Sequence, residues 1–413
     1  MSVLLYIITV FFWGMILFYS LLTTAGVKQR SSKQQTIQLE HYPSVAVLIP
    51  AHNEGVVITD TLRAMSELRY PGKLEIYLLD DQSTDNTAEI VQEFSSVFSH
   101  IHYIPVPDGK PKGKSRVLNY GLHISDSYYF AVYDADNQPE PDALVRLVEA
   151  AETTGKAAGA VGYVKTKNMF TNVLTRMIGL EFQVFQLLMQ SGRWALFKLG
   201  SLAGTNMLLK RAVLKELGGY DVHALAEDAE LTVRITAAGY LLPVVANSRT
   251  FEQEPEKLRT FIKQRTRWLT GNIYLLEKSL HDFSHWKGKT FFLSIQHLMT
   301  YLLFVLLLLV SDVMFVIGLS GYEMPNIQVP IILLWSMSYI VYTSYFLAAI
   351  AVDRNVSLAN IVFVFIMYFT YAQLFILLLL RSLKQYVWSR LKGTTIEWDK
   401  TKRFKQKGQT NEK

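Results

Sequence analysis

The sequence contains no cysteine, and long stretches of it contain no charge. Without thiols, disulfide bonds, thiolate metal sites and cysteine nucleophiles are excluded, and a reducing compartment is compatible with the composition. Residues 3–22 contain no charged side chain, and residues 320–327 contain no lysine or arginine. No internal repeat or appended regulatory domain is evident. What these gaps in charge mean depends on the rest of the chain.

Half of the 413 residues are hydrophobic, 18% are charged, and the formal net charge is +6. This composition is too apolar for an ordinary soluble protein and too charged in its middle for a membrane bundle, so the chain is predicted to be part soluble and part membrane. The positive excess lies beside apolar segments and in the last thirty residues. It therefore predicts contact with anionic lipid headgroups and no nucleic-acid partner.

Four apolar segments are long enough to cross a bilayer. Residues 3–22 match the length of a spanning helix, and a signal peptide is the weaker alternative because a basic leader and a small-residue cleavage pattern are lacking. Three more segments follow, at about 291–319, 328–351 and 357–380. We therefore predict an N-terminal transmembrane helix over 1–26, C-terminal transmembrane helices over 288–382 and a basic tail over 383–413.

Basic residues next to the apolar segments indicate the orientation. Lys28, Arg30 and Lys33 follow the first segment, whereas the loop 320–327 carries only Glu323. The positive-inside rule then predicts a multi-pass protein of the cell membrane whose middle domain is cytoplasmic. Four crossings would leave the basic tail outside, against the same rule, so either one late segment does not cross or the rule fails here.

The middle domain, residues 44–280, alternates short apolar runs with amphipathic stretches. Predicted strands lie at 45–50, 74–80, 128–134 and 157–163, and predicted helices lie between them at 56–69, 86–98, 115–125 and 141–153. Near-continuous apolar strands alternating with helices predict an α/β fold with a mostly parallel sheet. Ligands of such sheets bind beyond the carboxyl ends of the strands.

Carboxylates collect at those predicted strand ends. Glu54, Asp81, Asp134 and Asp136 all follow apolar runs, as does Asp85, for which helix capping and function are equally good interpretations. Asp134 and Asp136 stand at alternate positions of an extended segment and would point the same way. Such a pair suits a hard divalent cation, Mg²⁺ or Mn²⁺, that also holds phosphate oxygens.

Three further sites complete the predicted pocket. Lys114 opens a helix after Gly113 and would supply positive charge together with the helix N-terminus, with a solvated surface as the alternative. Asp228, next to Glu227, precedes an amphipathic helix and either caps it or acts as a general base. Gln264, Arg267 and Trp268 share one side of a helix, although a tryptophan near a membrane is ordinarily an interfacial anchor.

Six motifs in this order resemble the family 2 glycosyltransferases, and more narrowly the processive membrane synthases of poly-N-acetylglucosamine, hyaluronan, chitin-type oligomers and cellulose. The motifs are PAHNE (50–54), DDQSTD (80–85), GKSRVLN (113–119), DAD (134–136), AED (226–228) and QRTRW (264–268). The resemblance covers about residues 44–280. It implies a GT-A-like nucleotide-sugar-binding domain flanked by transmembrane helices.

The resemblance also implies roles for individual residues. Asp81 would lie at the nucleotide base, Asp134 and Asp136 at the diphosphate and its metal, and Asp228 would be the catalytic base. From the same motifs, the resemblance implies that Glu227 is catalytic together with Asp228, and that Glu54 and Lys114 bind substrate. Gln264, Arg267 and Trp268 would bind the diphosphate and the acceptor. Outside the six motifs, Gly204 resembles part of the family's acceptor-side loop, and residues 170–199 resemble its interfacial helices.

The implied reaction inverts the anomeric centre of a UDP-sugar, with UDP-N-acetylglucosamine the first and UDP-glucose the second candidate. The acceptor would be a growing β-linked glycan, with an accessory export protein as a possible partner. Adding one sugar to a lipid is the alternative, and a nucleotide-binding transporter or scaffold is an alternative of another class. Ala226 and Gln82 depart from the threonine and glycine frequent in the family.

Overall fold

A computed structural model of the protein describes residues 2–31, 37–282, 286, 288–321, 323 and 329–392. Lys33 and the part of the predicted tail from 393 onward lie outside the described residues, as do the side chains of Gln296 and His297. The strands are β1 Val45–Ala51, β2 Leu74–Asp80, β3 Ile101–Pro105, β4 Tyr129–Val132, β5 Gln138–Pro139, β6 Gly159–Thr166, β7 Met207–Lys210 and β8 Val244–Glu252.

Fourteen α-helices are assigned within the described ranges. They are α1 Ser2–Ser31, α2 Ile58–Ser66, α3 Thr87–Val97, α4 Lys114–Ile124, α5 Ala143–Thr153, α6 Val173–Phe182, α7 Gln190–Phe197, α8 Arg211–Glu216, α9 Glu227–Ala237, α10 Leu258–His281, α11 Lys289–Leu319, α12 Ile331–Val352, α13 Leu358–Met367 and α14 Tyr371–Lys392. A π-helical segment, Gln183–Met189, joins α6 to α7.

The strands form one mixed sheet in the order β3-β2-β1-β4-β7-β6-β8-β5. The pairs β1–β2, β1–β4, β2–β3 and β6–β8 are parallel, and β7 runs antiparallel to both β4 and β6. The predicted α/β fold with a mostly parallel sheet is confirmed. In the register, Ala51 lies opposite Asp80, so the loops that follow β1 and β2 leave the sheet side by side.

Both faces of the sheet are covered, which explains the continuous apolar strands. Val45, Val47 and Ile49 of β1 pack against α2, α3 and α5, whereas Ala46 and Leu48 face α4, α8 and α9. All five side chains are fully buried. Burying one valine, leucine or isoleucine contributes about 1.5–3 kcal/mol. The two layers hold the strand ends, and with them the site, in fixed positions.

Four candidate membrane segments are present among the described residues. Tyr6–Ser31, Leu302–Leu319 and Ile331–Val352 are long and apolar enough to span a bilayer, and the pair α13–α14, bent by 45°, is a broken span or a re-entrant loop. The first turns of α11, where Leu293 is fully buried, precede its apolar part. The last helix continues through Lys392, ten residues into the segment predicted as a tail.

Both ends of the pair α13–α14 lie against the middle domain. Before α13, Asp353 accepts hydrogen bonds from Lys165 at 3.0 Å and from Gln183 at 3.1 Å, and its side chain is 1% exposed. In α14, the Ser382 hydroxyl donates to the carbonyl oxygen of Thr266 in α10 at 3.2 Å. The chain therefore enters and leaves this pair on the side of the sheet domain.

Candidate active site

A cavity of about 500 Å³ lies beyond the carboxyl ends of β1, β2 and β4. Pro50 and Ala51 of β1 line it, together with Asp81 after β2 and Asp134 after β4. From there the cavity continues past α9 and α10 to residues of α1, α11, α12 and α14. It combines the position where α/β sheets bind ligands with a volume typical of a small-molecule site.

Lys114 ties three loops of the cavity together. Its ammonium group donates to Asp134 Oδ1 at 2.6 Å and to the Gly204 carbonyl oxygen at 2.7 Å, and lies 3.6 Å from Glu227 Oε1. Burial alone would lower the pKa of Lys114, but the carboxylates of Asp134 and Glu227 outweigh it and raise that pKa. The lysine therefore stays charged inside the cavity, and the solvated-surface alternative is wrong because its side chain is 15% exposed.

The turn after β2, which contains Asp81 and Gln82, is fixed by several side-chain contacts. The Asp81 carboxylate pairs with Arg116, and its carbonyl oxygen lies 2.6 Å from His52 Nδ1. Gln82 adopts a φ of 60°, a region that favours glycine, and its amide donates to the Val106 carbonyl oxygen at 2.7 Å. The departure from the family's glycine is therefore accommodated by one side-chain hydrogen bond.

Glu54 and Asp85 differ in what they contact. Glu54 lines the cavity and is 7% exposed. Asp85 instead accepts hydrogen bonds from the backbone N–H groups of Thr87 and Gly55, both at 3.0 Å, so it fixes the start of α3 to the loop after β1. The structure therefore favours the capping interpretation for Asp85.

Asp134 and Asp136 do not lie on an extended segment, which corrects the sequence interpretation. β4 ends at Val132, and the Asn137 N–H donates to the Asp134 carbonyl oxygen at 3.0 Å, which closes a turn. Asp134 faces the cavity, whereas Asp136 is 2% exposed and accepts a hydrogen bond from the Gln253 N–H at 3.3 Å. The alternation of a strand therefore does not apply to this pair.

A divalent cation fits the chemistry of this corner, although the protein alone supplies an incomplete ligand set. Within the described ranges, no group of three or more His, Asp or Glu side chains is placed to hold a metal ion. Burial, then the nearby Glu254, Asp136 and Asp134 carboxylates, raise the pKa of Glu252 well above its usual range. Negative charge is thus in excess here, and carboxylate oxygens are what Mg²⁺ and Mn²⁺ prefer.

Asp228 lies in the first turn of α9 and faces the cavity. The helix is capped by the backbone at Ala226, and the Asp228 side chain accepts a hydrogen bond from the Ala229 N–H at 2.8 Å. Burial, followed by the neighbouring Glu227 carboxylate, raises the pKa of Asp228 to about 7. A buried carboxylate with such a pKa can accept a proton near neutral pH, as a general base must.

Gly204 brings the backbone of its loop against Asp228 and Lys114. Its φ is +76°, and a Cβ atom at this position would lie 3.4 Å from Asp228 Oδ2 and 3.6 Å from Lys114 Nζ. A side chain here would therefore be strained and would occupy the space between the two charged groups. Thr205 and Asn206, which follow, are buried: the Thr205 hydroxyl donates to the Asn137 side chain, and the Asn206 amide donates to the Ser248 carbonyl oxygen of β8.

Gln264, Arg267 and Trp268 all line the cavity from α10, as their helical spacing predicts. Arg265 turns toward α6, where it donates to Glu181 at 2.8 Å in a pair that is 2% and 8% exposed. Its guanidinium lies 4.2 Å from the centre of the Trp268 ring, and Tyr371 of α14 donates to the same Glu181. The buried ion pair of Arg265 and Glu181 thus supports the Trp268 indole through the guanidinium group of Arg265.

Three charged residues of the described cavity lining were not found from the sequence: Glu181, Arg193 and Glu252. Glu181 and Arg193 are the first and last charged residues of an otherwise uncharged stretch, 181–193, and that isolation was the available signal. Glu252 ends β8, a strand that the sequence analysis did not predict. Its proximity to Asp136 depends on tertiary structure alone.

The chain matches known glycosyltransferases over most of its length. Residues 43–271 match the model described as glycosyltransferase like family 2. A probable glycosyltransferase of Bacillus subtilis, YdaM, is 36% identical over 403 residues, which cover 95% of this chain and 96% of that protein.

More distant relatives differ in their products. A β-monoglucosyldiacylglycerol synthase of Trichormus variabilis is 27% identical over 63% of this chain and 56% of its own length. A poly-β-1,6-N-acetyl-D-glucosamine synthase of Staphylococcus aureus is 25% identical over 67% of this chain and 65% of its own length. The chain thus spans only part of these two proteins.

A solved mannosyltransferase shares the fold. The enzyme of Pyrobaculum calidifontis, determined with GDP-Man and Mn²⁺, matches 93% of this chain and 99% of its own with a TM-score of 0.55 and 18% sequence identity. The likeness confirms the GT-A-like fold.

Proposed function

The chain belongs to glycosyltransferase family 2, and on that basis we propose that it transfers a sugar from a UDP-sugar to a growing β-linked glycan. UDP-N-acetylglucosamine is the first candidate donor and UDP-glucose the second. One observation carries the proposal: a single cavity runs from the sheet edge at Asp81 and Asp134, past Asp228 and Trp268, to the apolar helices. Donor, base and acceptor path share one space.

In the proposed reaction, Asp228 removes the proton from the acceptor hydroxyl as that oxygen attacks C1 of the donor sugar. The bond from C1 to the diphosphate breaks on the opposite side, so the configuration inverts and UDP leaves. The raised pKa of Asp228 suits this transfer near neutral pH. Glu227 contributes by raising that pKa and by pairing with Lys114.

The donor would be held by groups on both sides of the diphosphate. Asp81, fixed by Arg116, would accept a hydrogen bond from a uracil N–H, and Lys114, Gln264 and Arg267, which line the same cavity, would bind the phosphates. Asp134 and Asp136 would hold Mg²⁺ or Mn²⁺, which when bound stabilises negative charge on the leaving diphosphate. Glu54 closes the wall beside them.

The acceptor would rest on the Trp268 indole, since sugars present C–H faces to aromatic rings and the ring is fixed by Arg265. Behind it, the cavity is lined by tyrosine and phenylalanine side chains of the apolar helices, including Tyr342, Tyr345 and Phe375. We propose that the glycan leaves along this path, with or without an accessory export protein.

We further propose a multi-pass protein of the cell membrane with a cytoplasmic catalytic domain. With α1, α11 and α12 as crossings and α13–α14 as a re-entrant pair, Lys28, Arg30 and the basic end of α14 all lie inside. Contacts of Asp353 and Ser382 with the catalytic domain support this arrangement. It removes the conflict that four crossings would create with the positive-inside rule.

Addition of one sugar to a lipid is the second candidate. The observation that favours it is the lining of the helix side of the cavity, which contains no charged residue among the described residues of α1, α11, α12 and α14. Such a lining suits an acyl chain as well as it suits a glycan.

The test is reconstitution of the purified protein in lipid with each radiolabelled UDP-sugar and Mg²⁺ or Mn²⁺. Long labelled polymer from one donor is the expected result. Label only in a lipid-sized product would replace polymerisation by single addition. Absence of both incorporation and donor hydrolysis with either sugar would contradict the proposed donors.

A further inference from the structure

Arg193 is a half-buried cation of the cavity for which no acidic partner is present among the described residues. Two other cations of the lining are held by carboxylates, Lys114 by Asp134 and Arg265 by Glu181. By contrast, no hydrogen bond or ion pair joins the Arg193 guanidinium to another residue in the described part of the chain. The Nε atom of Arg193 is buried without a hydrogen-bond partner, and an unpaired charge in such surroundings favours the binding of an anion.

The surroundings of Arg193 change its pKa without removing its charge at neutral pH. Burial lowers the pKa of Arg193 to about 10, with only a small opposing effect of the nearby Tyr19 hydroxyl. The guanidinium is still protonated at neutral pH. A full positive charge therefore faces the cavity from α7.

Two polar side chains of the cavity lining near Arg193 also have atoms without a hydrogen-bond partner among the described residues. Gln186, about two turns earlier in the same continuous helix, has a side-chain oxygen without a hydrogen-bond partner among the described residues, and so does the Ser201 hydroxyl. Gln190 lies between Gln186 and Arg193 and exchanges hydrogen bonds of 3.1 Å with the backbone of Ser201. These side chains line one wall that leads through the loop 201–204 to Asp228.

The surroundings of Arg193 include features that are typical of a membrane interface. The preceding residue, Gly192, packs so closely on α1 that a Cβ atom would lie 2.0 Å from the carbonyl oxygen of Leu22, six residues before Lys28, the first charged residue of the chain. Lys198, the residue that follows α7, lies 5.2 Å from the Trp194 ring, and Phe197 is exposed. Tryptophan with lysine beside exposed apolar side chains is typical of a membrane interface.

Beyond this level the cavity becomes uncharged. Its lining from α1, α11 and α12 includes Phe12, Ile16, Phe304, Leu308, Val341 and Phe346. A polyanionic chain would have to place repeated charges against this lining, which is unfavourable. One negative charge followed by a long apolar tail matches the lining instead.

We propose that Arg193 binds the phosphate of an anionic phospholipid, that the acyl chains of this lipid occupy the helix-lined part of the cavity, and that a headgroup hydroxyl is the first acceptor. This rests on the proposed sugar transfer. The hydroxyl oxygen forms the new bond to C1 of the sugar, its proton passes to Asp228, and UDP leaves with the electrons of the broken bond. Later sugars add to the first, so the finished glycan carries the lipid.

A binding experiment tests the site without turnover. The full chain is reconstituted in phosphatidylcholine vesicles that contain photoactivatable phosphatidylglycerol or photoactivatable diacylglycerol, and the crosslinked peptides are mapped. We expect phosphatidylglycerol adducts on α11 and α12 that Arg193→Gln reduces about tenfold, whereas Arg193→Lys retains much of them. Lys198→Gln, which removes an exposed cation just after the same helix, should leave them unchanged. Equal adducts in Arg193→Gln and the parent would overturn the site.

A transfer experiment then tests the role of the lipid. With labelled UDP-sugar, label should enter phosphatidylglycerol in preference to diacylglycerol, and Arg193→Gln should abolish the preference while donor hydrolysis continues. Equal labelling of both lipids by the parent would overturn the assignment of the charge. Glycan made without any lipid end, or made faster when soluble acidic oligosaccharide is added, would overturn the lipid acceptor but leave the sugar transfer standing. Loss of donor consumption in the parent would instead contradict the transfer itself.

Discussion

The two halves of the cavity handle charge in opposite ways. At the sheet edge, Asp81 and Asp134, in the loops that follow β2 and β4, meet Lys114 and Asp228, in the first turns of α4 and α9. Ion pairs hold most of these charges. The helix-lined half contains no charged residue within the described part of its lining. Under the proposed function, the sugar is transferred in the sheet half, and the helix half accommodates the acceptor or the product.

Asp228→Asn should have the largest effect, because it removes the base from the charged half. We expect kcat to fall by about 10²–10⁴-fold, the range that general base catalysis contributes. Asparagine keeps the shape and the hydrogen bond to the Ala229 N–H, so binding of UDP should change little. Kinetics and UDP titration of the purified variant measure the two quantities, and a near-parental kcat would show that another group accepts the proton.

Glu181→Gln tests whether the buried ion pair between Glu181 of α6 and Arg265 of α10, which lies between the two halves of the cavity, stabilises the protein. Arg265 would remain buried without its carboxylate, and breaking such a pair costs about 3–5 kcal/mol. We expect a lower Tm and, since Arg265 supports the Trp268 ring, a shorter product.

The matched control is Glu277→Gln, which breaks the pair of Glu277 with Arg390, whose side chain is 57% exposed. An exposed pair contributes about 0–1 kcal/mol, so Tm should change little. If the two glutamine variants lost equal stability, the buried pair would have no special part in holding α10 against α6 and α14.

Trp268→Ala should separate donor chemistry from acceptor binding. Truncating an aromatic anchor of this kind costs about 2 kcal/mol, or about 30-fold in acceptor affinity. We therefore expect loss of long product while UDP-sugar hydrolysis is retained. Product length on a gel and release of UDP are measured on the same sample, and unchanged chain length would remove the case for an acceptor platform.

The charged half was largely predictable from the sequence because it is built from strand ends. β2 was predicted at its observed bounds, and in a parallel sheet neighbouring strand ends place Asp81 and Asp134 at one edge. The geometry of Asp136 was not predictable, since the early end of β4 at Val132 depends on where β7 pairs with it.

The helix half of the cavity, and the residues Glu181 and Arg193 between the two halves, were not predicted, for a different reason. Glu181 and Arg193 lie in an apolar stretch whose partners, Arg265 for one and the cavity itself for the other, come from remote parts of the chain. The antiparallel strand β7 is four residues long, too short for a reliable period-two pattern. The local sequence shows that Glu181 and Arg193 are charged residues in an apolar stretch, but it does not show which groups they contact in the folded protein.

The smallest expected effect is a pH dependence that belongs to the charged half alone. Because burial and Glu227 raise the pKa of Asp228 to about 7, the base is protonated and inactive below that pH and ionised above it. In the enzyme before donor binds, kcat/KM should fall about tenfold per pH unit below 7 and level off above it. Glu227→Gln removes the neighbouring negative charge and should move this acid limb to lower pH, while lipid or glycan binding in the uncharged half stays independent of pH. A limb that does not move in Glu227→Gln would assign the titration to a group other than Asp228.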